Sequence, residues 1–96
     1  MNATDIKLIL KVFRDYEKKR KRIRIEFADG DETFLHSSDV ISFQGDNMLL
    51  VYRSFEKPND DGYNDFYIYH NISHIKTLTI QMGDKNKKYD DKNNRY

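Results

Sequence analysis

Four consecutive residues carry side chains that hydrolytic enzymes use in nucleophilic catalysis. They are His36, Ser37, Ser38 and Asp39. A serine nucleophile needs a base that takes its proton and a third group that orients the base. Neighbours on a turn seldom reach that geometry, whereas Ser and Asp in turns commonly bind backbone amides. We therefore interpret the segment as a polar turn and predict that the protein is not an enzyme.

Histidines and carboxylates raise the question of a metal site. His70 and His74 stand one helical turn apart, but the alternating pattern around His70 indicates a strand. The chain has no cysteine that could complete a tetrahedral zinc site. The carboxylates of residues 60–65 do not follow the spacing of an EF-hand calcium loop. The sequence predicts no metal site and no cofactor.

A run of basic residues is the strongest charge feature of the chain. Closely spaced cations can neutralise nucleic-acid phosphates, and exposed tyrosines can stack on unpaired bases. The same cations can instead keep a helix end in solvent, and residues 31–65 carry two Lys and Arg against eight Asp and Glu. Nucleic-acid binding is therefore the alternative interpretation, and its residues are Lys18, Lys19, Arg20, Lys21, Arg22 and Arg24.

Tyrosine is frequent, with seven copies among 96 residues. Exposed tyrosine together with arginine is typical of the residues that dominate protein interfaces. A sheet that does not close also has free strand edges, which can pair with another chain. We predict binding of an unidentified protein partner and self-association into a homo-oligomer. The predicted contacts are Tyr52, Arg53, Phe55, Tyr63, Tyr67 and Tyr69.

The spacing of apolar residues predicts the elements that position these side chains. Ile6, Leu10 and Phe13 recur at the helical period, which predicts a helix over residues 4–19. From Arg22 onward apolar and polar residues alternate in most segments, as in strands with one buried face. Residues 48–52 are instead continuously apolar, as in a strand buried on both faces. We predict about five short antiparallel strands, drawn from residues 22–27, 32–36, 40–43, 48–55, 65–70 and 75–82.

The rest of the chain indicates a loop and a tail. Residues 56–64 hold the only proline and a cluster of Asn and Asp, which is typical of a long loop. Residues 83–96 show no apolar period, so we predict a disordered polar tail. Residues 1–82 are predicted to form one α+β, mainly β domain. In it, an N-terminal helix packs on a strongly bent five-stranded antiparallel sheet or a small barrel.

Two segments carry a family resemblance. "VISFQGDNMLLVY", residues 40–52, is similar to the Sm motif, with Gln44 at a position that is acidic in that motif, and "NISHI" forms a short turn before the last strand. With the N-terminal helix, this layout resembles the Sm-like proteins and small SH3-like barrels. It is also similar to the helix and bent sheet of YolD-like bacterial proteins. The Sm resemblance implies that Asn47 contacts a base.

Bulk properties complete the interpretation. No apolar run approaches the roughly 20 residues of a membrane-spanning helix, and no secretory signal is evident, so we predict a soluble, cytoplasmic protein. Only two alanines, with many Lys, Asn, Ile, Asp and Tyr, indicate an AT-rich coding sequence, as in a low-GC bacterium or one of its phages or plasmids. With the small size, this suggests a phage or other mobile element. We interpret the chain as a non-catalytic binding module, such as an accessory or inhibitor protein of that element. The alternative is an Sm-like or SH3-like barrel that binds RNA or single-stranded DNA through residues 18–24.

Overall fold

One α-helix and seven strands make up the described part of the chain, which is residues 1–15, 21–82 and 85–90 of a computed structural model. A single turn of 3₁₀-helix, Ile72–His74, precedes the sixth strand. The elements are α1 (Ala3–Asp15), β1 (Arg22–Phe27), β2 (Glu32–His36), β3 (Val40–Gln44), β4 (Met48–Ser54), β5 (Asp65–Asn71), β6 (Ile75–Met82) and β7 (Lys85–Asp90).

The predicted N-terminal helix is confirmed over Ala3–Asp15, and residues 16–19 of the predicted range lie outside the described residues. The Asn2 side chain accepts a hydrogen bond from the Asp5 amide at 2.9 Å and so caps the helix start. The Met1 amino group donates to the Ile75 carbonyl at 3.0 Å. The start of α1 is therefore fastened to β6. With a length of 13 residues α1 is too short to cross a membrane, and no other described helix could do so.

The strands form two antiparallel sheets. The four-stranded sheet has the order β2-β1-β6-β7, and the three-stranded sheet has the order β3-β4-β5. The prediction of an α+β, mainly β fold is confirmed, but the prediction of one five-stranded sheet or closed barrel is not. A barrel requires one continuous ladder that returns to its first strand. Here the turn at residues 37–39 separates β2 from β3, and each belongs to a different sheet.

One apolar core joins the two sheets and the helix. Its buried members come from α1, from both sheets and from the 3₁₀ turn, and they include Ile6, Ile9, Phe13, Ile23, Ile25, Leu35, Leu49, Val51, Ile72, Leu78 and Ile80. Because successive side chains of a strand point to opposite faces, the inner face of each sheet is used by this core. The outer faces are the surfaces on which a site can be built.

The last strand corrects the prediction of a disordered tail. Residues 85–90 form β7, which pairs antiparallel with β6 and sets Tyr89 opposite Leu78. Tyr89 is only 3% exposed and belongs to the core. The sequence pattern missed this strand because it contains one apolar residue, which is too few to show alternation. Residues 83, 84 and 91–96 of the predicted tail lie outside the described residues.

Replacing Tyr89→Ala is expected to lower the free energy of unfolding by about 2–4 kcal/mol, because it removes a buried ring from the core. Urea unfolding followed by circular dichroism measures this change. Lys88→Ala, at an exposed position of the same strand, is the matched control and should change stability by less than about 0.5 kcal/mol. If the Tyr89→Ala variant is as stable as the unaltered protein, residues 85–90 do not contribute to the core, and the prediction of a disordered tail is correct.

Candidate functional site

The outer face of the three-stranded sheet carries the largest group of exposed apolar side chains among the described strands. Its register sets Val40, Tyr52 and Tyr67 in one row, and Leu50 and Tyr69 in the next. Val40 is 61% exposed, Tyr67 65% and Tyr69 51%. We name these five residues the tyrosine face. Tyr52, Tyr67 and Tyr69 were predicted from sequence, whereas Val40 and Leu50 were missed. The continuous apolar run of residues 48–52 is typical of a strand buried on both faces, and Val40 is followed directly by apolar Ile41, so no alternation indicated them.

Contacts within the tyrosine face hold its rings in place. The ring centroids of Tyr52 and Tyr67 are 5.0 Å apart, with the planes tilted by 44°. The Tyr52 hydroxyl donates to Asp65 Oδ1 at 3.1 Å, and the Ser54 hydroxyl donates to the same oxygen at 2.7 Å. A side chain that is already fixed loses less conformational entropy when a partner binds it. The face is therefore prepared for binding.

The charged side chain on the outer face of β3, β4 and β5 is negative. No outward-facing residue of these strands is Lys or Arg, and Asp65 is an outward-facing carboxylate. Asp46 in the β3–β4 turn adds an acidic group beyond one end of the sheet, and Glu56 and Lys57, which have opposite charges, follow β4 at the other end. A partner with positive charge around an apolar centre would match this surface.

Residues 55–64, which we name the hairpin tip, form an ordered loop between β4 and β5. The Asn59 carboxamide oxygen accepts from the amides of Asp61 and Tyr63, each at 3.0 Å. The Asn59 amide donates to the Tyr63 carbonyl at 2.7 Å, and Gly62 closes the turn with a φ of 89°. The predicted loop is thus confirmed as a loop, but one with a defined backbone.

The hairpin tip surrounds an apolar cavity of about 490 Å³. Phe55 and Phe66 both line this cavity, and their rings contact each other edge to face, with centroids 5.7 Å apart. Phe55 and Tyr63, both predicted contact residues, are exposed at its border. The structure therefore divides the predicted tyrosine and phenylalanine contacts between the tyrosine face and the hairpin tip.

Arg53, the remaining predicted contact, lies on the opposite side of β4 and is bound within the protein. Its Nε donates to Asp39 Oδ1 at 2.9 Å and its Nη2 to Asp39 Oδ2 at 2.7 Å. The Nη2 atom also donates to the Phe34 carbonyl at 2.8 Å. The Arg53 side chain is 20% exposed and the Asp39 side chain is 1% exposed. Arg53 thus links β4 to the end of β2 and to the turn that follows.

Two groups in and beside this ion pair have shifted pKa values. Burial alone would raise the pKa of Asp39, but hydrogen bonds from Arg53 and from the His36 amide lower that pKa below its ordinary value. Burial, and then the positive charge of Arg53, lower the pKa of His70. The Asp39 carboxylate therefore binds a guanidinium and a backbone amide, which confirms the predicted polar turn at this residue.

The described residues of the basic run are held by contacts inside the protein. The Lys21 amine donates to the Phe13 carbonyl and lies 4.9 Å from the centroid of the Phe13 ring. Arg22 Nε donates to the Gln81 side-chain oxygen at 2.6 Å. Arg24 bonds Glu32 at 2.7 Å and Glu26 at 3.3 Å. Three predicted members of the run lie outside the described residues, namely Lys18, Lys19 and Arg20.

Asn47, the residue that the Sm resemblance implied, lies apart from these cations in the fold. It occupies the β3–β4 turn of the three-stranded sheet, where its carbonyl accepts from the Ile72 amide at 2.9 Å. Arg22 and Arg24 face outward from the four-stranded sheet. Among the described residues, Asn47 and these two arginines therefore lie on different sheets.

Comparisons with known proteins add no assignment. No family model, curated protein or solved structure matches the chain. Among the described residues, no three His, Asp or Glu side chains come together in a group that could hold a metal ion. The exposed surfaces of the protein are therefore the basis for proposing its function.

The Asp39–Arg53 pair predicts a defined pH dependence of stability. Asp39→Asn is expected to lower the free energy of unfolding by about 2–4 kcal/mol at neutral pH, because the part-buried guanidinium loses its counter-charge. The folded pKa of Asp39 lies below its unfolded value of about 3.9, so the contribution is complete above that pH and is lost as pH falls through the folded pKa. The difference between the two proteins should therefore shrink in acid.

Urea unfolding of both proteins between neutral pH and pH 3 measures this difference. His70 is present in both, so the stability that its burial costs below about pH 6.5 is common to them. Asp61→Asn is the control, because Asp61 is exposed and only its backbone amide is hydrogen-bonded within the described residues. A difference that stays constant with pH would show that Asp39 does not act through its charge.

Proposed function

We propose that the protein is a non-catalytic binding module that docks a protein partner on the tyrosine face. The observation that supports this proposal most is the exposure of Val40, Tyr67 and Tyr69 on one sheet face. Clustered apolar side chains in water mark interaction sites, since burying them gains about 25 cal/mol per Å². Such a module acts as an accessory or inhibitor protein by covering part of its partner's surface.

The side chains of the tyrosine face indicate which chemical groups a partner surface should carry. Tyrosine rings offer apolar area, and their hydroxyl groups offer hydrogen bonds, so both aliphatic and polar groups can pack against them. Arginine is favoured because its guanidinium stacks on a tyrosine ring and can also pair with Asp65. We therefore infer a partner surface with an aliphatic centre and an arginine-rich border.

The contacts of the basic residues favour protein over nucleic acid as the ligand. Arg24 would have to give up two carboxylates, and Arg22 its bond to Gln81, before either could bind a phosphate fully. The tyrosine face has no cation of its own within β3–β5 to hold a phosphate backbone beside a stacked base. A protein ligand needs neither change.

Selection of displayed random peptides on the immobilised protein tests the proposal. We expect the recovered peptides to be rich in arginine and aliphatic residues. The double variant Tyr67→Ala, Tyr69→Ala should bind them at least about 30-fold more weakly, because interface tyrosines commonly contribute 1 kcal/mol or more each. Fluorescence anisotropy of a labelled selected peptide gives the two dissociation constants.

The control variant is Leu8→Ala, which removes an exposed apolar side chain of α1 outside the tyrosine face and should leave the affinity unchanged. Peptides that bind the double variant as well as the unaltered protein would contradict the proposal, as would a failure to recover any ligand. The nucleic-acid alternative would replace it if a labelled single-stranded oligonucleotide bound at low salt and Lys19→Glu, Arg20→Glu, Arg22→Glu abolished that binding.

A further inference from the structure

A groove between α1 and β3 has an apolar floor, and the helix side of the groove is mainly positively charged. Its volume is about 400 Å³. Leu10, Ile41 and Phe43 form the apolar part of its lining, and Ile41 and Phe43 pack only partly against the core. The helix side carries three cations, Lys7, Lys11 and Arg14, together with Asp15 at the helix end.

The three cations are available to a ligand. Their spacing along α1 places them on one side of the helix. The Lys7 amine lies 5.0 Å from the centroid of the Phe43 ring, over the apolar floor. Lys11 and Arg14 are exposed and bond no carboxylate among the described residues. These cations are spaced more widely in the sequence than those of residues 18–24, so the sequence alone did not indicate them as a group.

The hairpin tip has the complementary chemistry. It carries Glu56, Asp60 and Asp61 against a single cation, Lys57. The carboxylates of Asp60 and Asp61 bind no partner among the described residues. Exposed Phe55 and Tyr63 belong to the same loop as these carboxylates. The tip therefore presents apolar rings bordered by negative charge, whereas the groove presents an apolar floor bordered by positive charge.

We propose that this groove binds the hairpin tip of a second copy of the chain. The tip extends beyond the Ser54–Asp65 pair, whereas Ile41 and Phe43 lie beside Val51 and Leu49 in the opposite direction along β4. A tip held rigidly by its own hydrogen bonds does not fold back to that position, so the contact is made between copies. The inference does not use the tyrosine face, so it can stand or fail independently of the proposed function.

The proposed contact between tip and groove joins two different surfaces, so it is a head-to-tail contact. The tip of one copy and the groove of the next are different surfaces, so each copy offers one of each, and association continues into a ring or an open chain. Attraction between exposed charges is screened by salt. We therefore expect a mass that rises with protein concentration and falls as salt is added.

Charge reversal on each surface, followed by mixing, tests the contact. Light scattering on a sizing column at low and high salt measures the mass of the full chain. Lys11→Glu with Arg14→Glu should weaken self-association at least about tenfold, and Asp60→Lys with Asp61→Lys should do the same. An equimolar mixture of the two variants should associate again, because each reversed surface then meets an oppositely charged surface on the other variant.

A control variant, Lys76→Glu with Lys88→Glu, reverses the same number of cations on the four-stranded sheet and should associate like the unaltered protein. Circular dichroism and urea unfolding establish that every variant is folded, since all the changed positions are exposed. Three results would overturn the proposal: a protein that is monomeric at all concentrations in low salt, association that both reversals leave intact, or a mixture that stays monomeric. Loss of oligonucleotide binding in the groove variant without loss of mass would assign the groove to nucleic acid instead.

Discussion

The bidentate pair between Asp39 and Arg53 stands where the chain leaves one sheet and enters the other. Both carboxylate oxygens bind the guanidinium, and one of them also accepts from the His36 amide, so the corner between β2 and β3 is held from both sides. Asp39 is almost completely buried, which makes either charge alone unfavourable there. The same bonds keep Arg53 on the inner side of β4, and its neighbours Tyr52 and Ser54 consequently face outward.

The shared core determines what each outer face can do. Helix α1, the 3₁₀ turn and the inner faces of both sheets use most of the large aliphatic side chains, so the outer faces differ mainly in their polar and aromatic residues. On the four-stranded sheet, Arg24 is balanced by Glu26 and Glu32. On the three-stranded sheet, aromatic and aliphatic side chains stand in rows without a cation among the outward residues of β3–β5. The two sheets share one core, but the outer face of the first carries paired charges and that of the second carries apolar and aromatic side chains.

A small protein has much surface relative to its core, and several distinct sites can share it. The tyrosine face, the hairpin tip and the groove beside α1 are separate surfaces of the fold, although β3 contributes residues to both the face and the groove. The tip and the groove complement each other in charge. The two proposed contacts, one with a partner and one with a second copy, therefore use different parts of the surface.

The sequence by itself determined the local elements. Apolar spacing along Ile6, Leu10 and Phe13 is enough to locate α1. Alternation, together with the continuous apolar run of residues 48–52, locates β1 to β6 within about one residue, because these patterns depend on neighbours along the chain. The turn at Asp39 and the loop at residues 56–64 were likewise evident from their residue types. The tyrosines of β4 and β5 could be named as contact candidates for the same reason.

Only the tertiary structure decided how those elements sort into two sheets, that Tyr89 anchors a seventh strand, and that Arg53 binds Asp39 instead of facing the tyrosines. It also brought the cations of α1 next to Phe43 of β3. Each of these depends on contacts between residues far apart in the chain. Alternation shows which residues share a face of a strand, but which face the core covers is settled only when the other elements pack against it.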